Sequence, residues 1–176
     1  MQIHTYPVTG KTKKSRVVGP LPVIKYPFGF FDGETTLETG GAGIHLGISL
    51  THTFNIKFGC GHNTNTRAEL LALWILLYFA EAIGLLTLHI YGDSSVVINW
   101  ANNKATLSSS DLGYWCESIS RLKDSFHRLD FQHVYKEHIT RADGLSKEAL
   151  SVATGLFSFI ETYEEDIIGG GEYQLF

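Results

Sequence analysis

Four acidic side chains limit the folds open to this chain more than any other feature. Asp32 follows the run Phe28-Gly29-Phe30-Phe31, and Glu69 opens the apolar run Leu70 to Ala80. Asp93 ends Leu88-His89-Ile90-Tyr91-Gly92, and Asp143 precedes Gly144-Leu145-Ser146. Each stands where a predicted strand ends or a predicted helix begins, among apolar or small residues. A lone carboxylate in such surroundings is strongly destabilising unless it is paired or bound to a cation. Four that converge are most simply explained by shared divalent ions, because hard cations such as magnesium take oxygen ligands and keep several waters.

The pattern between the acids predicts where they stand. A first strand runs from Val23 to Phe31, interrupted by Pro27. After a Gly40-Gly41-Ala42-Gly43 turn come strands over Ile44 to Leu50 and Thr53 to Phe58, with Thr51-His52 as a tight connection. Three strands with short joins read as an antiparallel meander. Thr64-Asn65-Thr66 is a helix start before Arg67-Ala68-Glu69, and Gly84 stops that helix after about Ile83. Leu86 to Tyr91 is the next strand. Asp93-Ser94 caps a second helix over Ser94 to Asn102. A third helix spans Asp111 to about His127, a fifth strand Phe131 to His138, and a fourth helix Ala142 to about Leu150. The sum is an α/β fold: a five-stranded mixed sheet, three antiparallel then two parallel strands, flanked by helices. In open α/β sheets ligands gather at the carboxyl ends of strands, where Asp32 and Asp93 fall. Glu69 enters from the first helix and Asp143 from the last.

The 176 residues fit one domain with terminal additions. Residues 1–26 hold three of the four prolines and the basic cluster Lys11, Lys13, Lys14, Arg16, and read as a flexible basic arm. Residues 27–152 form the folded domain, and 153–176 a helical extension with an acidic tail. The net charge of −4 divides unevenly, as +1 over residues 1–150 and −5 over 151–176. The low overall charge therefore does not exclude a phosphate-bearing ligand. Cys60 and Cys116 make neither a zinc pattern nor a disulfide framework, so no disulfide partner is expected. A reducing compartment, nuclear or cytoplasmic, follows. The longest apolar run is 11 residues, against roughly 20 needed to cross a bilayer, so no membrane partner is expected.

Taken together, Phe31-Asp32-Gly33, the Gly-Gly-Ala-Gly stretch, Asn65-Thr66-Arg67-Ala68-Glu69-Leu70-Leu71, Tyr91-Gly92-Asp93-Ser94 and Ala142-Asp143-Gly144-Leu145-Ser146 resemble type 1 ribonuclease H. The likeness is to the plant group carried by non-LTR retroelements and host proteins derived from them, and it extends to His133-Val134-Tyr135-Lys136-Glu137-His138. The resemblance implies a metal-dependent endonuclease that cuts the RNA strand of an RNA/DNA hybrid; a monomer is expected. Asp32, Glu69, Asp93 and Asp143 would hold two magnesium ions, with manganese as a substitute. His138 would assist product release. Gly33, Thr64 and Asn65 match positions that touch the hybrid. Three departures stand out. The segment Glu34 to Thr39 is shorter than in the family and adds two acids, Ile139 replaces the usual Asn, and no basic protrusion lies between Ser94 and Asp130. Two other readings remain open. One is a catalytically weak or inactive binding or scaffold module. The other is a 3′–5′ exonuclease, because Asp32-Gly33-Glu34-Thr35 resembles its Asp-x-Glu-Thr motif and His138 stands five residues before Asp143.

Overall fold

β1 (Phe28–Thr35), β2 (Gly40–Ser49) and β3 (His52–Gly61) form the expected antiparallel meander in a computed structural model that describes residues 22–62 and 64–176. Most of the expected N-terminal arm lies outside the described residues. α1 (Asn65–Ala82) begins where the Thr64 hydroxyl accepts a hydrogen bond from the Arg67 N–H at 3.3 Å. It ends at Gly84, whose φ of +84° is the left-handed conformation that favours glycine. There the Leu85 N–H closes back on the Ala80 carbonyl at 3.0 Å. β4 (Thr87–Gly92) pairs parallel with β1, and β5 (Arg128–His133) pairs parallel with β4. α2 (Ser95–Ala101) is capped by Ser94, and α3 (Gly113–Lys123) and α4 (Thr140–Glu148) complete the helices.

Residues 153–176 do not continue as helix. β6 (Leu156–Tyr163) and β7 (Asp166–Gln174) form a hairpin that pairs antiparallel with the edge of β3. The sheet therefore has seven strands in the order β5-β4-β1-β2-β3-β6-β7, not five. Two forces override the helix expectation. The edge of β3 offers a row of backbone groups for pairing. Phe157 and Phe159, two apart, also turn to the same face and pack around Phe79, with ring centroids 5.6 and 5.1 Å away. The hairpin turns at Glu164 and Glu165, both with positive φ, without the Asn-Gly signal that marks such turns in sequence.

Two further expectations shift. Gly40 to Gly43 is the start of β2, not a turn. β5 stops at His133, and Lys136–His138 is one 3-10 turn. The Val134 N–H still reaches the Gly92 carbonyl at 2.9 Å, but β4 ends there, so later residues have no strand to pair with.

Both faces of the sheet are covered. The larger core joins α1, α2 and α3 to the sheet through Phe31, Ile44, Leu73, Leu76 and Trp115. A smaller cluster of Phe28, Phe30, Tyr91, Val134, Ile139 and Ala142 lies under α4. The glycines of β2 explain how close α4 comes. A Cβ on Gly43 would stand 2.3 Å from the Ala142 carbonyl oxygen, and one on Gly41 would stand 2.5 Å from that of Ser146. These glycines permit close packing of α4 on the sheet.

Candidate metal centre

Strand register brings the first two acids together. Phe31 pairs with Gly92 at the end of the parallel β1–β4 ladder, so Asp32 and Asp93 follow side by side there. The first strand does not end at Phe31 as expected, because pairing with β2 carries β1 on past Asp32 to Thr35. Glu69 arrives from the second turn of α1, where the Gly33 N–H donates to its Oε1 at 2.9 Å. Gly33 is required at that contact, since a Cβ there would stand 2.4 Å from the Ala68 backbone. Asp143 arrives on α4, which the glycines of β2 allow to press against the sheet. Oxygens of Asp32, Glu69 and Asp93 lie within 4.8 Å of one another, and a second such group joins Asp32 and Asp143 to Glu34. The four predicted acids thus converge, with Asp32 common to both groups.

The site is anionic and largely shielded from water. Asp32 is 1% exposed and Glu69 8%. Neither Asp32 Oδ1 nor Glu69 Oε2 has a hydrogen-bond partner, although both atoms are buried. Burial raises the Asp32 pKa to about 7, the Asp93 charge adding to the rise while Glu69 and Lys136 oppose it. Burial and then the Asp32 carboxylate raise Glu69 well above the ordinary carboxylate range. Asp143 goes the other way. Burial alone would raise it, but hydrogen bonds from Lys136 and Lys147 outweigh that and lower its pKa. Orphaned buried carboxylate oxygens are the donor set that a hard divalent cation takes, so the residues fit the metal expected.

The linear pattern marks Lys136 only as part of a last strand, yet it is the centre's principal cation. Its Nζ is 3.1 Å from Asp143 Oδ1, 3.8 Å from Asp32 Oδ2 and 4.0 Å from Asp93 Oδ2. Burial weighs against this ammonium group, but the three carboxylates prevail and raise its pKa. Lys147, one helical turn past Asp143, lies 3.1 Å from its other oxygen. Ser146 Oγ donates to Asp32 Oδ2 at 3.2 Å. A helical period counted from Asp143 would have found Lys147 and Ser146. Lys136 has no such signal, because the 3-10 turn that swings it inward is not periodic.

The remaining predicted residues stand around this centre. The Asn65 side-chain Oδ1 accepts from the Thr35 hydroxyl, and Thr64 caps α1. His138 ends the 3-10 turn, and neither acidic group includes it. His133, whose ring nitrogen meets the Asp93 carbonyl at 3.1 Å, is exposed. Cys60 and Cys116 form no disulfide. Among the described residues no helix is long and apolar enough to cross a membrane.

The raised Asp32 pKa makes metal-free stability depend on pH. Between the ordinary carboxylate pKa of about 3.9 and about 7, the folded protein holds a proton that the unfolded chain has released. This stabilisation is complete below the lower value and lost as pH rises through the upper one. Asp143, with its lowered pKa, acts only at more acidic pH. The metal-free melting temperature is expected to fall from pH 5 to pH 7.5, by about 2–4 °C per ~1 kcal/mol lost. The fall should be smaller in Asp32→Asn, and equal slopes in both proteins would contradict the assignment.

The model of a family described as reverse transcriptase-like matches residues 32–149, a span that takes in all four acids and stops before the hairpin. The chain is similar in structure to RNase H1 from the halophilic archaeon Halobacterium salinarum, with 26% identity and a TM-score of 0.64 over 72% of this chain and 98% of that one. It is also similar to the N-terminal RNase H domain of a Mycobacterium tuberculosis protein, with 22% identity and a TM-score of 0.63 over 70% and 93% of the two chains. LC11-RNase H1, solved in complex with an RNA/DNA hybrid, shares 22% identity and a TM-score of 0.62 over 70% and 95%. The last two likenesses bear on fold alone. No curated protein matches the chain.

Proposed function

The chain belongs to the reverse transcriptase-like family, and on that premise we propose that it is a metal-dependent endonuclease cutting the RNA strand of RNA/DNA hybrids. The observation that carries this reading is the meeting of Asp32, Glu69, Asp93 and Asp143 around orphaned buried oxygens where the β1–β4 ladder ends. Asp32, Glu69 and Asp93 would hold one divalent ion, and Asp32 with Asp143 a second, magnesium in the cell and manganese as a substitute. Bound there, such ions lower the pKa of water and stabilise charge on the phosphate and the leaving oxygen.

The chain's own residues prepare the site. The Gly33 N–H fixes Glu69 by one oxygen and leaves the other open. Ser146 holds one oxygen of Asp32, so the second faces the centre. Glu69, in the second turn of α1, would meet the 2′-hydroxyl that distinguishes RNA from DNA. Gly33, Thr64 and Asn65 lie beside it and would line the hybrid, and His138 would assist product departure. Water adds to phosphorus, the P–O3′ bond breaks, and the products carry 5′-phosphate and 3′-hydroxyl ends. Likeness to the plant non-LTR retroelement group, in a nuclear or cytoplasmic setting, belongs to the same proposal.

One observation favours a second reading. Lys136 already neutralises three of the four acids, as a permanent counter-ion would in a non-catalytic hybrid-binding module. A hybrid with its RNA 3′ end blocked decides between them. Internal RNA cleavage that needs magnesium or manganese and stops in EDTA is expected. Hybrid binding without cleavage would select the module, and cleavage abolished by the block would select an exonuclease.

A further inference from the structure

Beyond the four acids, and resting on the metal-centre reading, we infer that Glu34 is a fifth carboxylate of the centre. It gives the ion between Asp32 and Asp143 a third side-chain ligand.

The strand geometry puts it there. Asp32 and Glu34 are two apart on β1, so both side chains leave the same face of the sheet, the face that α4 covers. Their antiparallel partners are Gly43 and Gly41. Neither partner has a side chain to occupy the space, and α4 descends onto both. Asp143 rides on that helix, and its carboxylate comes within 4.8 Å of those of Asp32 and Glu34. The short connection after Glu34 keeps it in position. The Thr36 N–H donates to the Thr39 carbonyl at 2.8 Å, and the ladder runs without a break to Thr35 opposite Gly40. A longer connection could lift away from the sheet at this point.

The orphaned oxygen of Asp32, besides the spacing of the carboxylates, points to a cation. Asp32 is almost fully buried, and its Oδ1 has no hydrogen-bond partner. Lys136 Nζ lies 3.1 Å from Asp143 and 3.8 Å from Asp32. An ion bound between them takes over the part this ammonium plays, and a third carboxylate favours the more highly charged divalent ion over a single positive charge. Two carboxylates leave most of a hard ion's ligand positions to water and substrate phosphate. With three, the ion binds without nucleic acid. This chain would therefore carry that ion as a resident of the free protein.

The test is a titration of the hybrid-free protein with manganese chloride, following the electron paramagnetic resonance signal of unbound Mn²⁺. Parent protein is expected to bind two ions. Glu34→Gln and Glu34→Ser should each weaken one of them by roughly tenfold or more, at least what the loss of a group that only orients a ligand costs, and leave the other unchanged. Asp93→Asn should weaken the other ion. Circular dichroism without metal should show both Glu34 variants folded, with melting temperatures equal to or above the parent's. Unchanged or tighter binding in both Glu34 variants, with weakening in Asp143→Asn, would overturn the role of Glu34 and leave the centre standing. A parent that binds no Mn²⁺ would overturn both.

Discussion

Asp93→Asn is expected to keep the fold, melt at a higher temperature without metal, and lose hybrid cleavage by about a thousandfold or more. That loss corresponds to ~4 kcal/mol of transition-state stabilisation. The amide is nearly the same shape but carries no charge. An ion held by Asp32, Glu69 and Asp93 would therefore lose one of its three carboxylate ligands. The same substitution relieves the metal-free protein, since the Asp93 charge raises the pKa of both Asp32 and Glu69. Lys136 would keep Asp32 and Asp143 as partners. Activity and metal-free stability should thus move in opposite directions, which a merely structural aspartate would not produce. Comparison of single-turnover cleavage with thermal melts in EDTA reads both. Cleavage at the parent's rate would remove Asp93 from the centre.

The second large effect comes from a residue without a side chain. Gly43→Ala is expected to destabilise the protein by about 3 kcal/mol or more and to abolish tight Mn²⁺ binding. The new methyl group would lie 2.3 Å from both the Ala142 carbonyl oxygen and the Ser146 backbone nitrogen. These are backbone atoms of α4 and cannot rotate aside, so the helix must move away from β2. Asp143, Ser146 and Lys147 move with it, and the centre loses one of its walls. Gly144→Ala is the control on the same helix. Nothing lies within 4 Å of a Cβ there, and alanine should stabilise the helix by about 0.5–1 kcal/mol. A Gly43→Ala protein as stable as its parent would show that the close approach of α4 to β2 is not required.

Much of this architecture is local and therefore legible. The Thr64 cap and the Gly84 stop bound α1 because each makes its hydrogen bonds within a few residues of itself. β4 and α2 are read within a residue or two for the same reason, since Ser94 caps its own helix by donation from the Val97 N–H. The placement of Asp93 at a strand end required only the end of its apolar run, whereas β1 continues past Asp32 to Thr35 because β2 pairs with it that far. The glycines of β2 misread as a turn, because glycine signals conformational freedom and absence of bulk alike. Only the neighbouring helix tells which is in use. The hairpin also escaped. Phe157 and Phe159 do stand two apart, but pairing depends on the edge of β3 some hundred residues earlier, and Glu164-Glu165 does not advertise a turn.

The amino-acid order alone determined the mixed α/β class, the extent of α1 and the identity of the four converging acids. Each rests on short-range hydrogen bonding or on the period of apolar residues. Tertiary structure alone decided the seven-strand count, the insertion of Lys136 among three carboxylates, and the arrival of Glu34 beside Asp143. Those depend on register and on how closely α4 can approach glycine. Such distances are set by packing between segments a hundred residues apart, and no local run of sequence encodes them.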